Sequence, residues 1–178
     1  MYSEAVIRQL IAHYYEINAG IGVHKSPTLY GAFPTDPYSH TPAGKGAQQP
    51  GMTGQVKEDI LSRFGELGVF IQAGTIQFNP CLLKQSEFLT ESRTYHYVDL
   101  ASTAQQLVLE PGTIGFTFCQ VPIIYTLTEE EGITIYYKDG TSRQIEALGL
   151  DSDLSNQIFN RTGTVSRLLV RVSASRLR

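Results

Sequence analysis

The side chains best suited to chemistry are concentrated in one long segment near the start of the chain. Residues 20–54 interleave aromatic rings, amides, a carboxylate and imidazoles with glycine and proline. Faces of Tyr and Phe rings cover the apolar C–H patches of sugars, while Asp, Gln and His side chains hydrogen-bond the sugar hydroxyls. This composition favours carbohydrate binding, and the candidate sugar-binding residues are Tyr30, Phe33, Asp36, Tyr38, His40, Gln48 and Gln49.

Asp36 has the most specific setting among these residues. Pro34 and Pro37 stiffen the backbone around it, so its carboxylate can be held in place without a helix or strand. The alternative is that Asp36 starts an Asx-type turn and that the neighbouring aromatic residues anchor the loop on the rest of the protein.

Catalytic and metal-binding patterns are weak. Glycosidase chemistry requires two carboxyl groups across the scissile bond, and only Asp36 is singled out. A small enzyme would pair it with His40 or with Glu58, although Glu58 is predicted on the outward face of a helix. The chain lacks GxSxG, CxxC, HxH and HxxxH patterns. The catalytic residues therefore stay unassigned, and no metal or other cofactor is expected.

Two predicted helices flank the long segment. Apolar residues at helical spacing predict the first helix over residues 3–18, with Ser3 as its N-cap and Gly20 as its end. The second is predicted over residues 55–67, before Gly68. Because the apolar face of the first helix is wide, we expect it to pack against a partner, either a second copy of the chain or further helices.

After Gly68 the apolar pattern changes from helical spacing to alternation. Strands are predicted over residues 69–72, 75–78, 94–100, 106–109, 113–127, 132–138, 142–148 and 164–172, with a short helix over 153–160. Short strands joined by tight turns predict an antiparallel β-sandwich of jelly-roll type. The expected fold is mainly β with α: two helices joined by a long ordered loop (residues 1–68) precede the sandwich (residues 69–178).

Composition excludes some partners. The 178 residues include 14 Lys+Arg and 17 Asp+Glu, a net charge of −3, without the basic clustering that nucleic-acid binding requires. No stretch is long and apolar enough to span a bilayer, and no signal-peptide pattern is visible. A soluble protein is predicted, without a compartment. Charged residues reach only 17%, below the usual quarter, so part of the surface is expected to be covered by another molecule.

The long segment and second helix carry a resemblance to a known class of proteins. Residues 30–42, and the run Gln48-Gln49-Pro50-Gly51-Met52-Thr53-Gly54 leading into the second helix, resemble the end of the catalytic domain of glycoside hydrolases and sugar phosphorylases built on an (α/α)6 toroid. The later strands, with Gly132-Ile133-Thr134-Ile135 and Asp139-Gly140, resemble the C-terminal β-sandwich of such proteins.

This resemblance implies that residues 1–68 are the end of a helical toroid and that residues 69–178 are the C-terminal sandwich. The catalytic acids of such enzymes lie earlier in the toroid, so the resemblance implies a non-catalytic C-terminal portion that contributes to sugar binding. Two alternatives stay open. One is a stand-alone jelly-roll module that binds sugar or another small ligand and forms a homo-oligomer through residues 3–18. The other is a small glycosidase that uses Asp36.

Overall fold

The computed structural model describes the backbone of residues 3–23 and 55–178 and the side chains of residues 3–15 and 60–178. Residues 24–54, which make up most of the loop predicted to be ordered, lie outside the described residues. The chain divides into two compact units, residues 1–63 and 64–178, which are described here one at a time. The division into a toroid remnant and a sandwich at residue 68 stays a prediction.

The first helix, α1, spans Glu4–Val23. The prediction that Ser3 caps it is confirmed, because the Val6 N–H donates to Ser3 Oγ at 3.4 Å. The predicted end at Gly20 is wrong, since the helix continues through Gly20 and Gly22. A glycine inside a helix costs about 1 kcal/mol, and it ends a helix only when it adopts the left-handed conformation. No helix in the described part of the chain is long and apolar enough to cross a membrane.

The second helix, α2, spans Gln55–Glu66 and ends close to the predicted position. Gly68 follows it with φ +70°, and its N–H donates to the Gly65 carbonyl at 3.0 Å. Leu67 is buried and Phe64 packs against the core of residues 64–178. Ile60, one turn before Phe64 on the same helix, is 52% exposed.

Residues 69–178 form three sheets, a third α-helix and two short 3-10 helices, Gln85–Glu87 and Ala174–Arg176. Two of the sheets are hairpins, β1–β2 (Val69–Gln72 and Thr75–Phe78) and β3–β4 (Arg93–Val98 and Ala104–Leu109). The third has five strands in the order β5-β6-β9-β7-β8. Its strands are β5 Thr113–Phe118, β6 Val121–Leu127, β7 Gly132–Tyr137, β8 Ser142–Ile145 and β9 Val165–Val172. Helix α3, Ser152–Phe159, lies between β8 and β9 in sequence.

The predicted fold, mainly β with sheets packed together after two helices, is confirmed, and two details differ. The predicted strand 113–127 is two strands, β5 and β6, joined by a turn at Cys119 and Gln120, both with left-handed φ. Neither residue type is typical of such a turn, so the sequence did not reveal it. The pairing is also not purely antiparallel, because β6 and β9 pair in parallel.

The core lies on one face of the five-stranded sheet, called here the inner face. Hairpin β1–β2 and helix α3 pack against it. The Tyr125 ring meets the rings of Phe78 and Phe116 edge to face, at 6.0 and 5.2 Å between centroids. Ser155 Oγ accepts a hydrogen bond from the Ile76 N–H at 3.0 Å and so ties α3 to β2. The opposite, outer face of the sheet is left for the β3–β4 hairpin and for solvent.

Candidate functional site

The sequence-predicted sugar-binding residues all fall outside the described part of the chain. This holds for Tyr30, Phe33, Asp36, Tyr38, His40, Gln48 and Gln49. The side chain of Glu58, the proposed acid partner of Asp36, also lies outside it. These assignments therefore stay predictions, and the candidate site described below is built from other residues.

Strand register places a row of polar and aromatic side chains on the outer face of the sheet. In the β7–β9 pair, Tyr136 lies opposite Arg167 and Gly132 lies opposite Arg171. Neighbouring residues such as Ile135 and Leu168 point to the inner face and are fully buried. Since side chains alternate along a strand, Tyr136, Arg167 and Arg171 share the outer face, where each is half-buried.

The β3–β4 hairpin covers the β5 end of this outer face. Leu109 packs so closely on Gly115 of β5 that a Cβ at Gly115 would lie 2.7 Å from Leu109 Cδ1. The Tyr95 hydroxyl lies close to the Thr117 side chain of β5. Tyr95 and Tyr97 lie on one side of the hairpin with their rings stacked, 6.0 Å apart and 14° from parallel. We call Tyr95, Tyr97, Tyr136, Arg167 and Arg171 the tyrosine–arginine surface.

The two arginines of this surface are held by their neighbours. The Arg167 guanidinium lies over the Tyr136 ring, 4.3 Å from its centroid, a cation–π geometry. Arg171 Nη1 donates to Thr134 Oγ1 at 2.9 Å. These contacts fix two flat, donor-rich guanidinium groups, one of them over an aromatic ring, and the described residues leave further N–H groups of both for a ligand.

Asp99, at the end of β3 next to Tyr97, contributes a fixed negative charge. Its Oδ1 accepts hydrogen bonds from the N–H groups of Thr103 and Ala101, at 3.0 and 2.9 Å. Its Oδ2 accepts one from Gln105 Nε2 at 3.0 Å. The hydrogen bond from the Thr103 backbone is the main cause of a lowered pKa for Asp99, followed by those from Gln105 and Ala101.

The protonation states of this region suit binding rather than proton transfer. With its lowered pKa, Asp99 is an ionised acceptor at neutral pH and a poor proton donor. Burial raises the pKa of both Tyr95 and Tyr97, so their hydroxyls stay neutral. The surface therefore presents aromatic rings, hydroxyls and guanidinium donors, beside a carboxylate that is occupied by its own loop.

Sequence reasoning missed this surface, although its pattern was visible. Tyr95-His96-Tyr97 places two tyrosines on one face of a strand, and Arg167 and Arg171 are spaced for one face of β9. What the sequence did not indicate is that β9 pairs with β7, which brings Arg167 to Tyr136.

No family model matches this sequence, and no curated protein matches it either. The relationship to toroid enzymes therefore stays a prediction from the residues quoted above. Among the described residues, no group of three His, Cys, Asp or Glu side chains is arranged to hold a metal ion.

Proposed function

We propose that this chain binds carbohydrate without catalysing a reaction, as the C-terminal portion of a glycoside hydrolase-like protein. The observation that carries the proposal is the tyrosine–arginine surface, which combines a stacked tyrosine pair on hairpin β3–β4 with the Arg167–Tyr136 cation–π pair on the outer face of the five-stranded sheet. Sugars present apolar C–H faces and ring-edge hydroxyls, and the surface offers aromatic and guanidinium planes together with hydrogen-bonding groups.

The test compares the ring with the hydroxyl of Tyr136. A glycan array with the intact chain identifies a ligand, and calorimetry then compares the variants. Tyr136→Ala removes the ring and is expected to weaken binding by about tenfold, the equivalent of losing one aromatic contact. Tyr136→Phe keeps the ring and is expected to bind as wild type does, apart from the loss of any hydroxyl contact.

Phe70→Ala is the matched control for this test. Phe70 is an aromatic residue on β1 with 42% of its surface exposed, outside the tyrosine–arginine surface. It is expected to leave sugar binding unchanged. An array without any glycan ligand, or an equal loss of affinity in Phe70→Ala and Tyr136→Ala, would contradict the proposal.

The loop residues predicted from sequence belong to the same proposal. Asp36→Ala and Tyr38→Ala are expected to weaken glycan binding without lowering the melting temperature, because these side chains are proposed to contact sugar rather than the core. The alternative of a small glycosidase makes the opposite prediction for turnover. If Asp36 is catalytic, the chain hydrolyses aryl-glycosides and Asp36→Asn abolishes that activity.

A second copy of the chain is the proposed partner of helix α1. Val6, Ile7 and Leu10 on this helix are 38%, 44% and 60% exposed, an unusual placement for three large apolar side chains within five residues. We propose that residues 3–18 form a homo-oligomer contact through this face.

A further inference from the structure

A cleft of about 430 Å³ lies away from the tyrosine–arginine surface, where strand β2, strand β8 and the chain leading into α3 meet. Its apolar lining includes Phe78, Ile145, Leu148 and Leu150. Arg143, Gln77 and Asp151 also line it, together with Ala147 and Gly149. The volume suits a ligand of one or two sugar rings in size.

Backbone pairing leaves hydrogen-bond donors free at this cleft. Residues 148–150 run along β2, with the Phe78 N–H donating to Leu148 O at 2.8 Å and the Leu150 N–H donating to Ile76 O at 2.9 Å. In this pattern the N–H and C=O of the intervening Gly149 point away from β2. The N–H groups of Ala147 and Gly149 form no hydrogen bond with any described residue.

Gly149 also determines where the Gln77 amide lies. A Cβ at Gly149 would be 2.2 Å from Gln77 Oε1, so the amide occupies the space that any other residue would fill. Gln77 Nε2 donates to Thr75 Oγ1 at 2.9 Å, which leaves Oε1 as an acceptor in the cleft wall.

Arg143 provides the positive charge through which the cleft can bind a negatively charged ligand. Its Nη1 donates to Asp151 Oδ2 at 3.2 Å, while Asp151 Oδ1 is occupied by the Leu154 N–H at 2.9 Å as the N-cap of α3. The Arg143 side chain is 54% exposed, and its remaining N–H groups form no hydrogen bond with the described residues. A guanidinium with free N–H groups binds a carboxylate through two parallel hydrogen bonds.

We propose that this cleft binds a small hydroxylated carboxylate, such as a uronic acid. The ligand carboxylate pairs with Arg143, its hydroxyls bond to Gln77 and to the free backbone N–H groups, and its C–H face lies on the half-buried side chains of Leu148 and Ile145. The same chemistry is offered by a free sugar acid and by a uronic acid unit within a glycan. This inference does not rest on sugar binding at the tyrosine–arginine surface.

The experiment titrates the intact, isotopically labelled chain with galacturonate and follows the backbone amide signals of Ala147 and Gly149 by NMR. Galactose is the neutral comparison, and trigalacturonate separates a glycan-bound unit from a free acid. Galacturonate is expected to shift both signals, whereas galactose at the same concentration shifts them much less. Tighter binding of trigalacturonate than of galacturonate indicates a glycan ligand, and equal or weaker binding indicates the free acid.

Substitutions of the two partners of the ion pair are expected to change the affinity for galacturonate in opposite directions. Arg143→Gln is expected to weaken galacturonate binding by roughly tenfold or more, the usual effect of losing a charged hydrogen-bonding partner. Asp151→Asn keeps the N-cap but removes the charge that competes for Arg143, so galacturonate is expected to bind more tightly, by up to about fivefold.

Arg93→Gln is the matched control, because Arg93 is also an exposed arginine with one carboxylate partner, Glu91 at 2.8 Å, and it lies outside the cleft. It is expected to bind galacturonate as wild type does. Melting temperatures confirm that each variant is folded. Absence of galacturonate-induced shifts, equal shifts with galactose, or unchanged affinity in Arg143→Gln would overturn the proposal. Loss of sugar binding in Tyr136→Ala with intact galacturonate binding would show that the two sites are separate.

Discussion

The hydroxyl group of Tyr125 links two parts of the core. Its side chain is fully buried, and its hydroxyl donates to the Leu67 carbonyl at 2.6 Å, which joins strand β6 to the chain just after α2. Burial raises its pKa, so the hydroxyl remains a neutral donor at physiological pH. The hydrogen bond also satisfies a carbonyl that would otherwise be buried without a partner.

Tyr125→Phe is expected to lower the free energy of unfolding by about 1–2 kcal/mol, because it removes the donor and leaves the Leu67 carbonyl unpaired. Urea denaturation monitored by circular dichroism measures this. Tyr137→Phe is the matched control, since the Tyr137 hydroxyl forms no hydrogen bond with the described residues, and its effect is expected to be small. Equal loss in the two variants would contradict the role given to the Tyr125 hydroxyl.

For single residues, the sequence indicates which residue types suit binding but not which residues come into contact in the fold. Aromatic rings beside a carboxylate and amides suit sugars, and on this ground the sequence predicts Asp36 and Tyr38 as sugar-binding residues. Both lie outside the described residues. A similar pairing of an aromatic ring with a carboxylate recurs at Tyr97 and Asp99, which are two positions apart in sequence. The Arg167–Tyr136 contact joins residues 31 positions apart, and no local pattern predicts such a long-range pair.

Among the elements, α3 shows how one side chain sets the start of a helix. Asp151 accepts a hydrogen bond from the Leu154 N–H at 2.9 Å and has the extended backbone of an N-cap. Asp151→Ala is expected to lower the free energy of unfolding by about 1 kcal/mol, while Asp151→Asn, an equally good cap, changes it little. Thermal or urea unfolding of both variants tests this, and an equal loss in both would mean that charge, not capping, is responsible.

The C-terminal residues are held in place by an ion pair and by backbone hydrogen bonds. Arg176 forms a two-fold ion pair with Glu131, in which Nη2 donates to Oε2 at 2.8 Å. The Arg178 N–H donates to Leu83 O at 3.0 Å, and Arg178 O accepts from the Gln85 N–H at 3.3 Å. The hydrogen bond from Arg176 is the main cause of a lowered pKa for Glu131.

The lowered pKa of Glu131 makes the free energy of unfolding depend on pH, and the direction of this dependence follows from the sign of the shift. A carboxyl group with a lower pKa in the folded state contributes stability above its unfolded pKa of about 4.3, and loses that contribution as the pH falls through the folded pKa. The free energy of unfolding is therefore expected to fall below about pH 5. Glu131→Gln is expected to show a smaller fall than wild type, measured by urea denaturation across this range. A fall of unchanged size would contradict a contribution from Glu131.

The predicted elements were most accurate where local chemistry determines them. Hairpin β1–β2 was predicted with its correct bounds, because the turn signal Ala73-Gly74 separates two short segments rich in apolar residues. The turn at Cys119 and Gln120 was missed because tertiary contacts, including the bond from Gln120 Nε2 to Asp99 O at 3.1 Å, hold it in place of typical turn residues. The parallel pairing of β6 with β9 was missed because register between distant strands leaves no periodic signal.

For the whole molecule, low charge and exposed apolar surface are connected. Only 17% of residues are charged, and large apolar side chains are exposed in both compact units, including Leu10 at 60% and Val108 at 66%. The buried hydrophobic cluster, in contrast, runs from Leu67 to Val172 and lies within residues 64–178. The structure shows which apolar side chains are exposed, and the expectation that another molecule covers part of this surface stays a prediction.

The two exposed patches predict different results in a test of self-association. Val6 and Leu10 are one helical turn apart and so share a face of α1, whereas Val108 stands on the outward side of hairpin β3–β4. If α1 is the contact between copies, the wild-type chain sediments as a concentration-dependent oligomer. Leu10→Lys is then expected to shift it to monomer, because a charge buried at the contact is costly. Val108→Lys, an equal change at an equally exposed apolar residue, is expected to leave sedimentation unchanged. A wild-type monomer at every concentration would contradict any contact between copies, and dissociation by Val108→Lys alone would assign the contact to the hairpin.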